Sequence, residues 1–134
     1  MKTTELSIHT GRRRGLFDLT RECADFVDGE GDGLLHVFVP HATCGIVVME
    51  LGAGSDDDFL GALDRVLPRD DRWVHRHGSP GHGADHVVPA FVPPFATVPV
   101  VGGRLALGTW QSIALVDTNV DNESRIVRLS FLPG

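Results

Sequence analysis

The chain has 134 residues, of which 42% are apolar, and this length supports one compact domain over residues 1–134 rather than two independent cores. Its formal net charge of -6 disfavours a protein that wraps nucleic acid or binds a membrane surface through basic residues, and no apolar run is long enough to cross a bilayer. With only Cys23 and Cys44 and no apolar leader segment, the sequence predicts a reduced, cytoplasmic protein without a disulfide scaffold.

The first predicted elements are two strands and a helix. Weak alternation over residues 3–9 predicts a strand, and a second short strand is expected after the basic turn at 12–14. A helix is predicted to begin at Asp18 or Thr20 and to end before Gly29, because apolar residues recur there at helical spacing. These residues are Leu19, Cys23, Phe26 and Val27.

Two buried strands and a second helix follow. Residues 34–39 and 44–49 are apolar on both faces, which is typical of central strands covered from each side. The segment 55–67 carries an apolar stripe at helical spacing, and three aspartates lie near its start, where the helix dipole favours negative charge. Ser55 is predicted to accept hydrogen bonds from the free amides of the first turn, and Pro68 ends the helix.

The second half is predicted to contain a long loop, a short helix and two hairpins. Residues 69–83 are polar and rich in glycine, and they are too numerous for a tight connection, which favours a functional loop. A short helix is predicted within 84–91. The Gly102-Gly103 pair indicates a hairpin turn, and the segments 109–118 and 124–131 are β-patterned with a polar turn between them. The whole pattern predicts a strand-rich α+β fold.

Four of the seven histidines fall between positions 75 and 86: His75, His77, His82 and His86. Imidazoles in a loop can bind a metal ion, carry protons near neutral pH or, when charged, donate to a phosphate. The segment has no helical H-E-x-x-H frame and the cysteines form no C-x-x-C pair, so a structural zinc site is not indicated. A mixed site with His41 or Glu50 and a solvated loop without function are both open interpretations.

The junction between the two buried strands carries His41, Thr43 and Cys44, and such a junction exposes side chains at the end of a sheet. A Cys–His nucleophile is conceivable, but no acid partner or oxyanion-hole motif accompanies it. The sequence therefore favours Cys44 as a small buried apolar residue. Glu50, which follows the second of these strands, is a candidate ligand or general base.

A third candidate is the run Gly108-Thr109-Trp110-Gln111, which lies inside a β-patterned stretch. In a regular strand Thr109 and Gln111 would share one face, and Gly108 would allow a bulge or the close approach of a ligand. Trp110 would point to the other face, where packing in a core is the favoured interpretation.

Four motifs together carry a resemblance to a known family. They are HATCGIVVME at 41–50, Trp73-Val74-His75, GHGADHVVPA at 81–90 and GRLALGTWQSIALVD at 103–117. In this order they resemble the YjbQ-like family, whose members are called secondary thiamine-phosphate synthases. The resemblance covers nearly the whole chain. It implies an α+β fold, with seven strands in a two-sheet β-sandwich and two main helices, and a homotrimer.

The resemblance also implies an activity. The enzyme would be a transferase that couples a hydroxymethylpyrimidine pyrophosphate to a thiazole phosphate, so its substrates would be small phosphorylated compounds. Stabilising the departing pyrophosphate requires arginine, protonated histidine or a divalent metal such as zinc or magnesium. The residues that match the family's motifs are His41, Thr43, Glu50, His75, His86, Thr109 and Gln111. The three histidines would bind metal or phosphate, with His77 and His82 as alternatives, and the other four residues would take part in catalysis.

Two other functions are alternatives. One is a metal-dependent hydrolase in which the ion activates water and Glu50 acts as the base. The other is a non-catalytic trimer that binds an anion or a metal. Each interpretation requires that the distant histidine-bearing segments fold into one pocket, which could lie between subunits.

Overall fold

Two antiparallel sheets face each other in the computed structural model, which describes residues 1–134. The strands are Lys2–His9 (β1), Gly15–Asp18 (β2), Gly33–Phe38 (β3), Cys44–Met49 (β4), Phe95–Val101 (β5), Arg104–Leu105 (β6), Ser112–Asp117 (β7) and Ser124–Pro133 (β8). The helices are Thr20–Val27 (α1), Ser55–Val66 (α2), His82–Asp85 (α3) and Val88–Phe91 (α4). One sheet has the order β1-β8-β3-β5-β6 and the other β2-β7-β4. None of the helices is long and apolar enough to cross a lipid bilayer.

The main core lies between the two sheets. Leu35 of β3 and Leu129 of β8 point inward from the five-stranded sheet, and Ile113 and Leu115 of β7 do so from the three-stranded sheet. The apolar face of α1, which includes Cys23, packs into the same core. Burial of these side chains is the main favourable contribution to folding, at about 1.5–3 kcal/mol for each large apolar side chain.

A second apolar layer covers the other face of the three-stranded sheet. Val116 of β7 and Val47 of β4 pack there with Leu63 of α2 and with Ala84 and Val88 of the two short helices. Because β7 is covered on both faces, its sequence is almost continuously apolar rather than alternating. Val116, near the C-terminal end of β7, and Ala84 of α3 lie in this same buried layer.

The predicted α+β architecture of two packed sheets is confirmed, with α1 and α2 as its main helices. The structure has eight strands rather than the seven that the resemblance implies. The count includes β6, a strand of only two residues that follows the glycine turn of the predicted hairpin. The helix predicted within 84–91 is two single turns, because Pro89 lacks the amide that would continue the helical hydrogen bonds. Ser55 makes no capping bond, and the carboxylate of Asp56 instead accepts the N–H of Gly52.

The strand predicted over 109–118 begins later, at Ser112. The Gln111 N–H donates to the carbonyl of Gly108 at 3.0 Å, and the Gly108 N–H donates to Gln111 Oε1 at 2.8 Å. Residues 108–111 therefore form a turn, called here the exposed turn, so Thr109 and Gln111 do not share a strand face. The prediction that Trp110 packs in a core is wrong, because its side chain in this turn is 74% exposed.

Candidate metal site

Three histidines converge at α3. His75, His82 and His86 each offer a ring nitrogen, and these three atoms lie within 4.8 Å of one another. His82 and His86 are four residues apart on a helical turn, a spacing that places side chains next to each other. Their Nε2 atoms are 2.9 Å apart. This group is called the three-histidine site below.

Close backbone packing brings His75 to α3. The Cα of Gly83 faces the segment 73–75 so closely that an added Cβ would lie 2.5 Å from the carbonyl oxygen of His75 and 2.5 Å from Trp73 Cβ. Trp73 is fixed in turn, because its Nε1–H donates to the carbonyl oxygen of Pro68 at 2.8 Å, just after α2. A residue without a side chain at position 83 is therefore a condition for the site.

A fourth ring and a cleft border the three-histidine site. The ring centre of His77 lies 4.2 Å from that of His75 and 4.5 Å from that of His82. The adjoining cleft has a volume of about 390 Å³, and its lining comes from residues 70–83 with Trp73 as the one hydrophobic member. The site thus opens onto a polar cleft that can admit a small polar ligand.

A buried carboxylate holds α3 in place. Asp85 is fully buried and forms an ion pair with Arg69, which follows α2. The same carboxylate accepts a hydrogen bond from Thr118 Oγ1 at 2.7 Å and a weaker one from Asn119 Nδ2 at 3.3 Å. Because Thr118 and Asn119 directly follow β7, the orientation of the histidine-bearing turn is set by the end of a central strand.

His82 has polar partners on the side opposite His86. Its Nδ1 lies 3.0 Å from Asp121 Oδ2 and 3.0 Å from Asn119 Nδ2. Burial opposes ionisation of Asp121, but hydrogen bonds from Ser79 and His82 outweigh it and lower the pKa of that carboxyl. Asp121 is therefore an ionised hydrogen-bond acceptor at neutral pH.

The electrostatic environment keeps two of the imidazoles neutral. Desolvation, followed by the charges that His77 and His82 can carry, lowers the pKa of His75 below 6.5. Desolvation and the surrounding histidines likewise lower the pKa of His86, although Asp85 acts in the opposite direction. Neutral imidazole is the form that binds metal ions, so at pH 7 both rings are in the state that a metal requires.

His41 and Thr43 lie at the same end of β7 but are engaged elsewhere. His41 Nε2 accepts the N–H of Ile126 at 2.9 Å, and His41 is not in the three-histidine site. Thr43 Oγ1 accepts from Arg125, which pairs with the buried Asp117. Cys44 is fully buried as predicted, and burial raises the pKa of its thiol to about 12, so the residue is not a thiolate nucleophile at neutral pH.

Glu50, Thr109 and Gln111 lie at the opposite end of β7. In the register of the three-stranded sheet, Cys44 pairs with Asp117 and Met49 with Ser112. Glu50 and the exposed turn therefore flank the start of β7, about 17 Å along the strand from its end. Within one chain the structure brings together His75 and His86 of the predicted site, and it separates them from Glu50, Thr109 and Gln111.

The residues that complete the arrangement were not in the predicted ligand set. The sequence predicts His82 only as an alternative ligand, and no motif singles out Asp85, Asn119 or Asp121. A signal for His82 exists in the sequence, because H-G-A-D-H places His82 and His86 four residues apart. The apolar pattern predicts a short helix only within 84–91, whereas the structure begins α3 at His82.

Comparisons with known proteins agree on one family. A family model described as UPF0047 protein YjbQ-like matches residues 4–134. The UPF0047 protein Rv2556c of Mycobacterium tuberculosis is 58% identical over 134 residues, and the match covers 100% of both chains. The UPF0047 protein YugU of Bacillus subtilis is 37% identical over 115 residues, which are 81% of this chain and 83% of YugU. Thus relatives from distant bacteria carry the same family designation.

A solved structure shows the same fold. The crystal structure of a YbjQ-like protein of unknown function from Sulfolobus solfataricus superposes with a TM-score of 0.91. It is 25% identical to this chain, and the match covers 99% of this chain and 97% of the other. The prediction of a secondary thiamine-phosphate synthase is wrong on these findings, because the relatives are named only as UPF0047 proteins and the Sulfolobus protein is described as of unknown function.

Proposed function

We propose that this chain, which belongs to the UPF0047 family of YjbQ-like proteins, binds a divalent transition-metal ion through His75, His82 and His86. The observation that carries this proposal is the convergence of three ring nitrogens within 4.8 Å. Two of them are 2.9 Å apart. In the metal-free protein one of these two rings can donate to the other, and a cation held by both lone pairs would replace that hydrogen bond.

The chemistry of the donors favours zinc or a similar metal over magnesium. Imidazole nitrogen is a common ligand of zinc, copper, nickel and iron, whereas magnesium prefers oxygen ligands and retains water. Three protein ligands are the number typical of zinc sites that keep a fourth position open. An ion with an open position acts as a Lewis acid toward the oxygen ligand that occupies it.

The polar cleft supports a small polar ligand at that open position. The His77 ring borders both His75 and His82 without being in the ligand set, which supports a role in which its ring N–H would donate to that ligand. A small phosphorylated compound is one ligand class that fits this lining. A homotrimeric assembly and a cytoplasmic location stay predictions.

The proposal is tested by titrating the metal-free protein with zinc and with magnesium in a calorimeter. We expect one zinc ion per chain and no comparable magnesium binding. His75→Ala and His86→Ala should each weaken zinc binding by more than the 10–100-fold typical of changes to outer-shell partners. His9→Ala removes an exposed histidine at the end of β1 and should leave the affinity unchanged. The proposal fails if the wild-type protein binds no zinc, or if His9→Ala weakens binding as much as the ligand variants.

A further inference from the structure

The geometry points to Asp121 as a positioning residue that orients His82 for metal binding. Its carboxylate would hold the hydrogen of the His82 ring on Nδ1, which leaves the lone pair of Nε2 free for the ion. This inference rests on the proposed metal site. It concerns a residue outside the three-histidine site that lies 39 residues from His82 along the chain.

The two nitrogens of the His82 ring face different surroundings. Nδ1 is 3.0 Å from Asp121 Oδ2, which can only accept a hydrogen bond when the carboxyl is ionised, and it is also 3.0 Å from Asn119 Nδ2, which can only donate one. Nε2 is 2.9 Å from His86 Nε2, on the side where His75 also offers a nitrogen. A proton on Nδ1 satisfies the carboxylate, and a proton on Nε2 would block the position of the ion. Of the two partners of Nδ1, the ionised carboxylate forms the stronger, charge-assisted hydrogen bond, and the Asn119 NH₂ group has the carboxylates of Asp85 and Asp121 as other acceptors. The carboxylate therefore favours the tautomer that the site needs.

Two backbone N–H groups hold the Asp121 carboxylate and the neighbouring Asn119 amide. The Asp121 N–H donates to Asn119 Oδ1 at 2.9 Å, and the Ser79 N–H donates to Asp121 Oδ2 at 3.3 Å. The first contact also fixes the Asn119 amide, because its oxygen must face the Asp121 N–H. The Asn119 NH₂ group is then directed to His82 Nδ1 at 3.0 Å and to the carboxylates of Asp85 and Asp121 at 3.3 and 3.5 Å.

Gly78 covers the contact between the carboxylate and the ring. Its φ is +72°, and an added Cβ would lie 2.7 Å from Asp121 Oδ2 and 3.0 Å from His82 Nδ1. The loop backbone thus lies against the pair with no space for another side chain. A surface ion pair would contribute little to stability, but this contact joins a carboxylate to a neutral imidazole and is enclosed on the ring side, where the His82 side chain is 12% exposed. The contact is suited to orienting the ring.

The test measures the tautomer and the affinity separately. Nitrogen-15 NMR of metal-free protein at pH 8 should show His82 with its hydrogen on Nδ1, and Asp121→Ala should shift the ring toward the Nε2–H form. In a zinc titration Asp121→Ala should weaken binding by about 10–100-fold. Asp121→Asn keeps an oxygen that can accept from Nδ1 and should restore part of both effects. Asp70→Ala removes another carboxylate that lines the cleft, and it controls for the loss of negative charge alone.

Different results overturn different claims. Zinc binding by the wild-type protein, with the tautomer and affinity unchanged in Asp121→Ala, overturns the role of Asp121 and leaves the metal site intact. The role is also overturned if Asp70→Ala weakens zinc binding as much as Asp121→Ala does. A wild-type protein that binds no zinc overturns the metal site itself, whatever the tautomer.

Discussion

The two ends of β7 differ in how their polar residues are held. At the C-terminal end Asp117, Thr118 and Asn119 are at most 1% exposed, and each makes side-chain hydrogen bonds to other segments. At the N-terminal end the exposed turn makes its hydrogen bonds within itself, between Gly108 and Gln111. The polar groups of the first end are consequently part of the interior, and those of the second are available to solvent.

The two ends thus represent two kinds of polar residue, buried ones and exposed ones. Buried polar groups must be hydrogen-bonded, so their geometry is fixed by the fold and can orient other side chains. Exposed groups in a turn are constrained only by their own turn. The three-histidine site is built on the first kind, which is the arrangement that metal coordination requires.

The largest effect is expected from Asp85→Ala, which removes the central acceptor at the buried end. Arg69 would lose its ion-pair partner, and Thr118 would lose its acceptor. Breaking a buried pair in this way costs about 3–5 kcal/mol in the free energy of unfolding, measurable by urea denaturation. Glu5→Ala, which breaks an exposed pair with Arg128, is the control and should cost at most about 1 kcal/mol. Equal losses in the two variants would contradict the comparison.

A smaller effect is expected from Gly83→Ala, which tests the close packing beside the buried end. The new methyl group would overlap the carbonyl oxygen of His75, and such overpacking costs about 1–3 kcal/mol. Gly61→Ala in α2 is a matched control, because its Cβ would meet only Arg65, at 3.7 Å. That change should stabilise the protein by up to about 1 kcal/mol through helix propensity. If Gly83→Ala leaves the free energy of unfolding unchanged, the segment 73–75 is free to move away from α3.

The architecture could be predicted because its signals are local. The central strands are continuous apolar runs, and the spacing of Leu19 and Cys23 indicates α1 without knowledge of any partner. The site could not be predicted in this way. Asp85 is hydrogen-bonded to Thr118, which is 33 residues away along the chain, and Ser79 is hydrogen-bonded to Asp121, 42 residues away. The periodicity of a sequence does not indicate such long-range pairs.

The exposed turn differs from the predicted strand. The resemblance implies a catalytic role for Thr109 and Gln111, and the strand pattern predicts that they share one face. The strand begins only at Ser112, since the Gln111 side chain closes a turn with Gly108. Local competition from a side-chain hydrogen bond thus decided the structure there.

The smallest effect is expected at the exposed end, from Gln111→Ala. The change removes one exposed hydrogen bond, to the Gly108 N–H, and should alter the free energy of unfolding by at most about 0.5 kcal/mol. Zinc affinity measured by calorimetry should equal that of the wild-type protein, because the turn is far from the three-histidine site within the chain. A loss of zinc affinity in this variant would contradict the separation of the two ends.

Ala84 is fully buried in the apolar layer against the three-stranded sheet, and it lies between His82 and His86 on one helical turn. Unfolding of that turn would therefore disperse the imidazoles and uncover the layer in a single event. Under the proposed function, an ion bound at this turn would favour the closed layer by mass action, with about 2.7 kcal/mol at a free concentration of 100 times its Kd. Metal supply and the resistance of this side of the molecule to local opening would then be thermodynamically linked.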